Sequence, residues 1–129
     1  MAFQCTVVTP EGQVFDGRVD QAVVPAHDGL IGILSGRAPI LLKIGVGPLR
    51  LDLPGGRQEF YLLDGGVAQM KDNVLTILSG SATPASAIDA EAARAEYNEA
   101  LARRITDEHS FEQRDHDLKL AQAKLALAR

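Results

Sequence analysis

The residues of this chain whose types could do chemistry are three histidines, two Ser-Gly pairs, two glycine runs and one cysteine. Their spacing argues against each. His27, His109 and His116 sit in polar contexts, and none stands four residues along a helix from another soft ligand, so no zinc-type pair is expected. Ser35-Gly36 and Ser79-Gly80 lack the G-x-S-x-G setting that lifts a nucleophile onto a sharp turn. Gly29-Leu30-Ile31-Gly32 and Gly45-Val46-Gly47 match neither G-x-G-x-x-G nor a loop ending in Gly-Lys-Ser/Thr, so no phosphate cradle is expected and both read as turns. Cys5 alternates with Phe3 and Val7 as a small buried hydrophobe, and a lone cysteine allows no internal disulfide. The acidic residues of the C-terminal part alternate with bases, the pattern of solvated helix faces rather than acid–base pairs. With no catalytic constellation, the expectation is a non-catalytic subunit of a larger machine; a small hydrolase on the same body is the least supported alternative.

The elements that would hold these residues come in two kinds. All twelve glycines and all six prolines lie at or before Pro84, whereas the following 45 residues contain twelve alanines, so a boundary is expected between Ser81 and Ser86. Residues 1–84 read as about ten short strands. Phe3, Cys5 and Val7 share a face before the turn Thr9-Pro10-Glu11-Gly12, and Leu49, Leu51 and Leu53 alternate with Arg50 and Asp52 up to Pro54-Gly55-Gly56. Further turns are due at Gly65-Gly66 and Lys71-Asp72-Asn73. Many short strands without intervening helices predict an antiparallel β-sandwich.

Residues 85–129 predict a two-helix antiparallel hairpin. Ser86 and Ser110, each three residues before Asp89 and Gln113, are placed to open the helices. Ala93, Tyr97, Leu101 and Ile105 recur at spacing four, and Phe111, Leu118, Ala121 and Leu125 at near-heptad spacing, which makes them the expected seam. Such a seam buries few large side chains, each contributing roughly 1.5–3 kcal/mol. Set against ordering entropy, docking is expected to be marginal.

A net charge of −4, from 13 basic and 17 acidic residues without a basic stripe, argues against a nucleic-acid partner. The N-terminus has no basic segment leading into an apolar one. The apolar run from Ala38 to Ile44 is broken by Lys43 and too short to span a bilayer, so a membrane is expected to be met only through a partner.

Four blocks, in order and spacing, carry a resemblance: Val8-Thr9-Pro10-Glu11-Gly12, Gly29 through Ile40, Leu63-Asp64-Gly65-Gly66-Val67, and Asn73 through Leu78. Together they resemble the epsilon subunit of the F-type ATP synthase, over essentially the full length. The resemblance implies a rotor subunit on the cytoplasmic face of an energy-transducing membrane, in a bacterium the plasma membrane. The sandwich would bind the gamma subunit and rest on the membrane ring of c subunits. The loop of His27, Asp28, Gly29 and Leu30, with Arg37 nearby, is the implied ring contact; an ordinary hairpin connection is the alternative. Arg37 stands where the family often has histidine.

By the same resemblance the hairpin would either fold on the sandwich or extend along gamma toward the catalytic alpha and beta subunits and inhibit hydrolysis. Arg103, Arg104, Arg114, Lys119, Lys124 and Arg129 would then meet acidic surface there, or else line a solvated face. Some family members bind ATP through Ile/Leu-Asp-x-x-Arg-Ala. Here the segment is Ile88-Asp89-Ala90-Glu91-Ala92-Ala93, with Ala92 at the arginine position. Arg94 lies about 200° around the helix and does not substitute, and Leu127 stands near where a base would help. No cofactor is therefore expected, and ATP binding is expected to be weak or lost.

Overall fold

The computed structural model describes residues 1–128. Ten strands, β1(Phe3–Thr9), β2(Gly12–Val19), β3(Gln21–Ala26), β4(Gly29–Leu34), β5(Ile40–Lys43), β6(Val46–Asp52), β7(Gln58–Asp64), β8(Val67–Lys71), β9(Val74–Leu78) and β10(Ala82–Pro84), precede α1(Ala90–Ala102) and α2(Glu108–Leu127). They form two five-stranded sheets, β2-β1-β9-β8-β5 and β10-β7-β6-β3-β4, packed face to face as a sandwich. The expected architecture of sandwich and two-helix hairpin is the observed one. One pair departs from the antiparallel pattern: β1 runs parallel to β9, from Gln4↔Val74 to Val8↔Leu78.

The core follows from strand alternation. Phe3, Cys5 and Val7 face inward with Met70, Leu75 and Ile77, and meet Val24, Ile33, Leu49, Leu51 and Leu63 from the second sheet. Full burial, with the charge of Asp16 second, pushes the Cys5 thiol up to about 12, so it packs as an inert hydrophobe. Local turn chemistry sets register. Asp72 and Asn73, with φ of 52° and 62°, make the two-residue turn between β8 and β9. Asn73 Oδ1 also accepts from the Gly36 amide at 2.8 Å, tying the β4–β5 connection to this hairpin.

The helix starts differ from expectation. Asp89, not Ser86, is the N-cap of α1 and accepts from the Glu91 amide; Ser86 lies in a single 3-10 turn over Ala85–Ala87. Likewise α2 opens at Asp107. Ser110 stands three positions inside, where its hydroxyl accepts from the Asp107 amide at 3.0 Å and its amide donates to Asp107 Oδ1 at 2.7 Å. An aspartate is as good a cap as a serine, and the serine completes the reciprocal pair that a glutamate or glutamine often makes.

Candidate functional site

The feature with functional geometry is the arm formed by α1 and α2, folded onto the body. α2 packs against β6 and β7 on the outer face of the second sheet. Leu62 records this contact. Its neighbours Tyr61 and Leu63 face the core, so Leu62 points outward, yet it is only 2 % exposed.

Between the helices the seam is narrower than the sequence suggests. Ala93, Ala100 and Ala121 are its fully buried members. Tyr97, Leu118 and Leu125 are half-buried, whereas Leu101 and Ile105 are 46 % and 47 % exposed, and Ile105 lies beyond the end of α1. The reason is periodicity. A spacing of four advances 400° per step and drifts 40° each time, so Ile105 would lie about 120° from Ala93, whereas the seven-residue step from Ala93 to Ala100 drifts only about 20°. Leu101 and Ile105 are therefore not seam residues.

Charged pairs flank the alanines. Lys124 Nζ lies 2.9 Å from Glu96 Oε2 at one end, and Arg103 Nη1 lies 2.6 Å from Asp117 Oδ2 at the other, while the same guanidinium also pairs with Glu99. Arg114 Nε donates to the Ala100 carbonyl at 3.1 Å, a second bond beside the one that carbonyl accepts from the Arg103 amide in the last turn of α1, and Lys119 pairs with Asp115 at 3.1 Å. Of the cations expected to face solvent or a partner, Arg103, Arg114, Lys119 and Lys124 thus have intrachain partners while the arm is docked, whereas Arg104 is exposed; Arg129 lies outside the described residues.

One ionisable bridge ties arm to body. His116 Nε2 lies 2.9 Å from Asp64 Oδ1 at the end of β7, and its Nδ1 lies 3.3 Å from Asp117 Oδ1. Asp64 holds the imidazolium above the usual histidine range, with Asp117 adding to this and partial burial opposing it. Arg103 holds the Asp117 carboxyl below its usual range, with His116 and Gln113 adding to it. His116 and Asp64 are 52 positions apart and no sequence signal joined them. For the alanine seam a signal existed, the seven-residue spacing of Ala93 and Ala100.

The loop residues are placed as follows. His27 and Asp28 form the turn between β3 and β4, the His27 amide donates to the Lys43 carbonyl at 2.8 Å, Gly29 has φ of +141°, and Leu30 is 63 % exposed. Arg37 is not near them. It follows β4, a six-residue extended strand about 20 Å long, and therefore sits at the opposite end of the body. A cavity of about 600 Å³ runs between the His27 turn and α2, lined among others by Val46, Phe111, His116 and Lys119. A second, of about 500 Å³, is lined by Gln58, Phe60, Ala85, Ser86, Ile88 and Leu127. It lies beside the Ile88-Asp89 segment and its described lining residues carry no charge; Asp89 is engaged in capping and Ala92 is exposed.

Comparison with known proteins bears on this arrangement. The family model of the ATP synthase delta/epsilon chain β-sandwich domain matches residues 2–85. An ATP synthase epsilon chain of Rhodopirellula baltica is 35% identical over 129 residues, all of both chains. The chain belongs to the ATP synthase epsilon-chain family. A second epsilon chain, from Chromohalobacter salexigens, is 35% identical over 98% of this chain and 86% of its own. Two solved structures share the fold of this epsilon-family chain. One, in the Euglena gracilis mitochondrial ATP synthase OSCP/F1/c-ring assembly, has a TM-score of 0.87 and 24% identity, covering 95% of this chain and 78% of that one. The other, in the Tetrahymena thermophila mitochondrial ATP synthase central stalk and c-ring, has a TM-score of 0.75 and 13% identity, covering 98% and 96%. Among the described residues, no helix of the epsilon-family chain is long and apolar enough to cross a membrane.

Proposed function

We propose that this chain is a non-catalytic central-stalk subunit of a rotary ATP synthase, its body seated between a gamma subunit and the ring of c subunits and its arm a brake on ATP hydrolysis. The observation that carries this reading is the full-length relationship to epsilon chains, arm included. The likeness to chains in stalk and c-ring assemblies supports it, as do two features of the body.

The first is an uncovered apolar rung. On the outer face of the first sheet, Val8, Leu78 and Val67 are cross-strand neighbours, with Leu41 on the next rung of that face and Val74 on the rung beyond. Leu78 is 49 % and Val67 40 % exposed, and the arm covers the other sheet. An exposed apolar cluster of this kind is the mark of a partner, and gamma is the partner assigned to it. Leu78→Asp is expected to weaken binding to gamma by about tenfold or more, an effect of hot-spot size, with folding unchanged; pull-down or biosensor titration measures it. Wild-type affinity in both Leu78→Asp and Val67→Asp would remove this face from the interface, and failure of the wild-type chain to bind gamma would overturn the proposed function.

The second is the direction of the arm. β10 pairs from Ala82↔Leu63 to Pro84↔Tyr61, so the arm is rooted toward the Gln58 end of β7, whereas the His27 turn lies at the Asp64 end, where the Gly45 amide meets the Pro25 carbonyl and the Gly65 amide the Gly45 carbonyl. With His27, Asp28, Gly29 and Leu30 toward the ring, a released arm swings away from it, toward the catalytic alpha and beta subunits. Placement at the cytoplasmic face of the coupling membrane follows from assembly alone.

Among the described residues, the cavity beside Ile88 offers no cation to a triphosphate, and anion recognition rests on charge-assisted contacts. The isolated chain is therefore expected to bind ATP weakly or not at all. Calorimetry giving a sub-millimolar Kd would contradict this.

A further inference from the structure

We infer that His116 is a proton-operated latch between arm and body: as imidazolium it bridges Asp64 of β7 and Asp117 of its own helix and holds the arm down, and on losing its proton it loses its ion pair with Asp64 and one of its two N–H donors. The two ring nitrogens have like surroundings. Both stand against carboxylate oxygens, Nε2 at 2.9 Å from Asp64 and Nδ1 at 3.3 Å from Asp117. A neutral imidazole has one N–H, so one nitrogen would point a lone pair at an anionic oxygen; only the imidazolium donates to both. Neither carboxylate is a casual neighbour. Asp64 ends β7 just before the chain crosses between sheets, and Asp117 is held from two other sides by Arg103 of the inter-helix link at 2.6 Å and Gln113 at 3.2 Å.

The groups around His116 come from every element packed there. α2 itself contributes Glu112, Asp115 and Lys119, with Lys119 paired to Asp115. The β3–β4 turn contributes His27 across the shared cavity, and β6 contributes Val46, which carries no charge. Arg103 acts on His116 only through Asp117 and is itself shared with Glu99. The nearest fixed charges in direct contact with the imidazole are thus the two anions, which favour its charged form.

The sign follows. Docking raises the affinity of His116 for a proton, so its contribution to docking is complete below about pH 6.5, the value of a free histidine, and is lost as pH rises through the raised value of the docked state. His116 is partly exposed, which keeps the effect in the range of a solvent-screened ion pair.

The test uses the full chain alone, so its outcome is independent of whether the chain joins a gamma subunit. Fluorophores at Gln122→Cys on α2 and Gln69→Cys on the outer face of the first sheet, with the buried Cys5 unreactive, report docked and undocked populations by energy transfer. Between pH 5.5 and pH 8.0 the docked-to-undocked ratio is expected to fall by about threefold. In His116→Gln the ratio is expected to be flat over this range, in Asp64→Asn the fall is expected to shrink, and in His27→Gln and His109→Gln it is expected to persist. A proton NMR titration gives the second readout: the His116 midpoint should return toward the free value in Asp64→Asn. A wild-type ratio that does not change with pH, or a fall that survives His116→Gln, would overturn the latch.

Discussion

Gly66→Ala is expected to abolish stable folding of the body, or to lower its Tm by more than about 10 °C, whereas Gly65→Ala next to it is expected to cost only a few degrees. At Gly66 the chain crosses from β7 in one sheet to β8 in the other, with φ of +114°. A Cβ there would lie 2.0 Å from the Leu78 carbonyl oxygen and 2.8 Å from Ser79 Cα. Both are backbone atoms, and the same corner is fixed by the Ile44 amide donating to the Gly66 carbonyl at 2.9 Å and by Ser79 Oγ donating to the Gly65 carbonyl at 2.8 Å. With no flexible group to give way, the cost is about 4 kcal/mol or more, a large part of the 5–15 kcal/mol that ordinarily separates folded from unfolded chains, to order of magnitude. Gly65 has φ of +76° and open space around its missing Cβ, so its alanine variant carries only the left-handed penalty of about 1 kcal/mol. Thermal melts of the two variants decide the matter; a Gly66→Ala protein melting within a few degrees of wild type would refute the steric account.

Removing residues 85–129 is expected to leave assembly and synthesis largely intact and to raise ATP hydrolysis by the assembled complex roughly fivefold or more, the size of an ordinary coupling between two states. The body should survive the deletion because no described residue of the arm belongs to the core between the sheets. Its main loss is the cover over Leu62, worth about 2 kcal/mol. Hydrolysis that does not change in complexes reconstituted with and without the arm would mean that the arm does not inhibit. The arm is weakly enough held to move. Its seam buries three alanines, and the pairs that link its helices, Arg103 with Asp117 and Lys124 with Glu96, are partly exposed and weakened by solvent screening.

Much of the body was legible in the sequence because its signals are local. Period-two alternation marked β1 and β6, and glycine, proline and asparagine marked the turns at Gly12, Gly65 and Asn73. The pairing of β1 with β9 was not legible, since nothing in residues 4–8 encodes a partner seventy positions away. The separation of His27 from Arg37 became clear only once β4 was seen to be straight between them, because a resemblance aligns residues along the chain and not in space. The seam was misjudged at Leu101 and Ile105 by following large side chains at spacing four, when the helices instead meet over alanines at spacing seven. The pairs Glu96–Lys124, Arg103–Asp117 and Asp64–His116 depend on how the arm folds back, which charge patterning along one helix does not determine.

The parallel pairing of β1 with β9 has a consequence for biosynthesis. β1 lies inside its sheet, flanked by β2 and β9, so its residues lack one neighbour until Leu78 has emerged from the ribosome. Adjacent-strand units such as β3–β4 and β8–β9 close over short loops and can form early, but the ring of contacts that completes the body is of high contact order and must come late. Until then the edge of β1 stands open to other nascent chains, which makes the interval between synthesis of residue 9 and residue 78 the period of greatest aggregation risk for this protein.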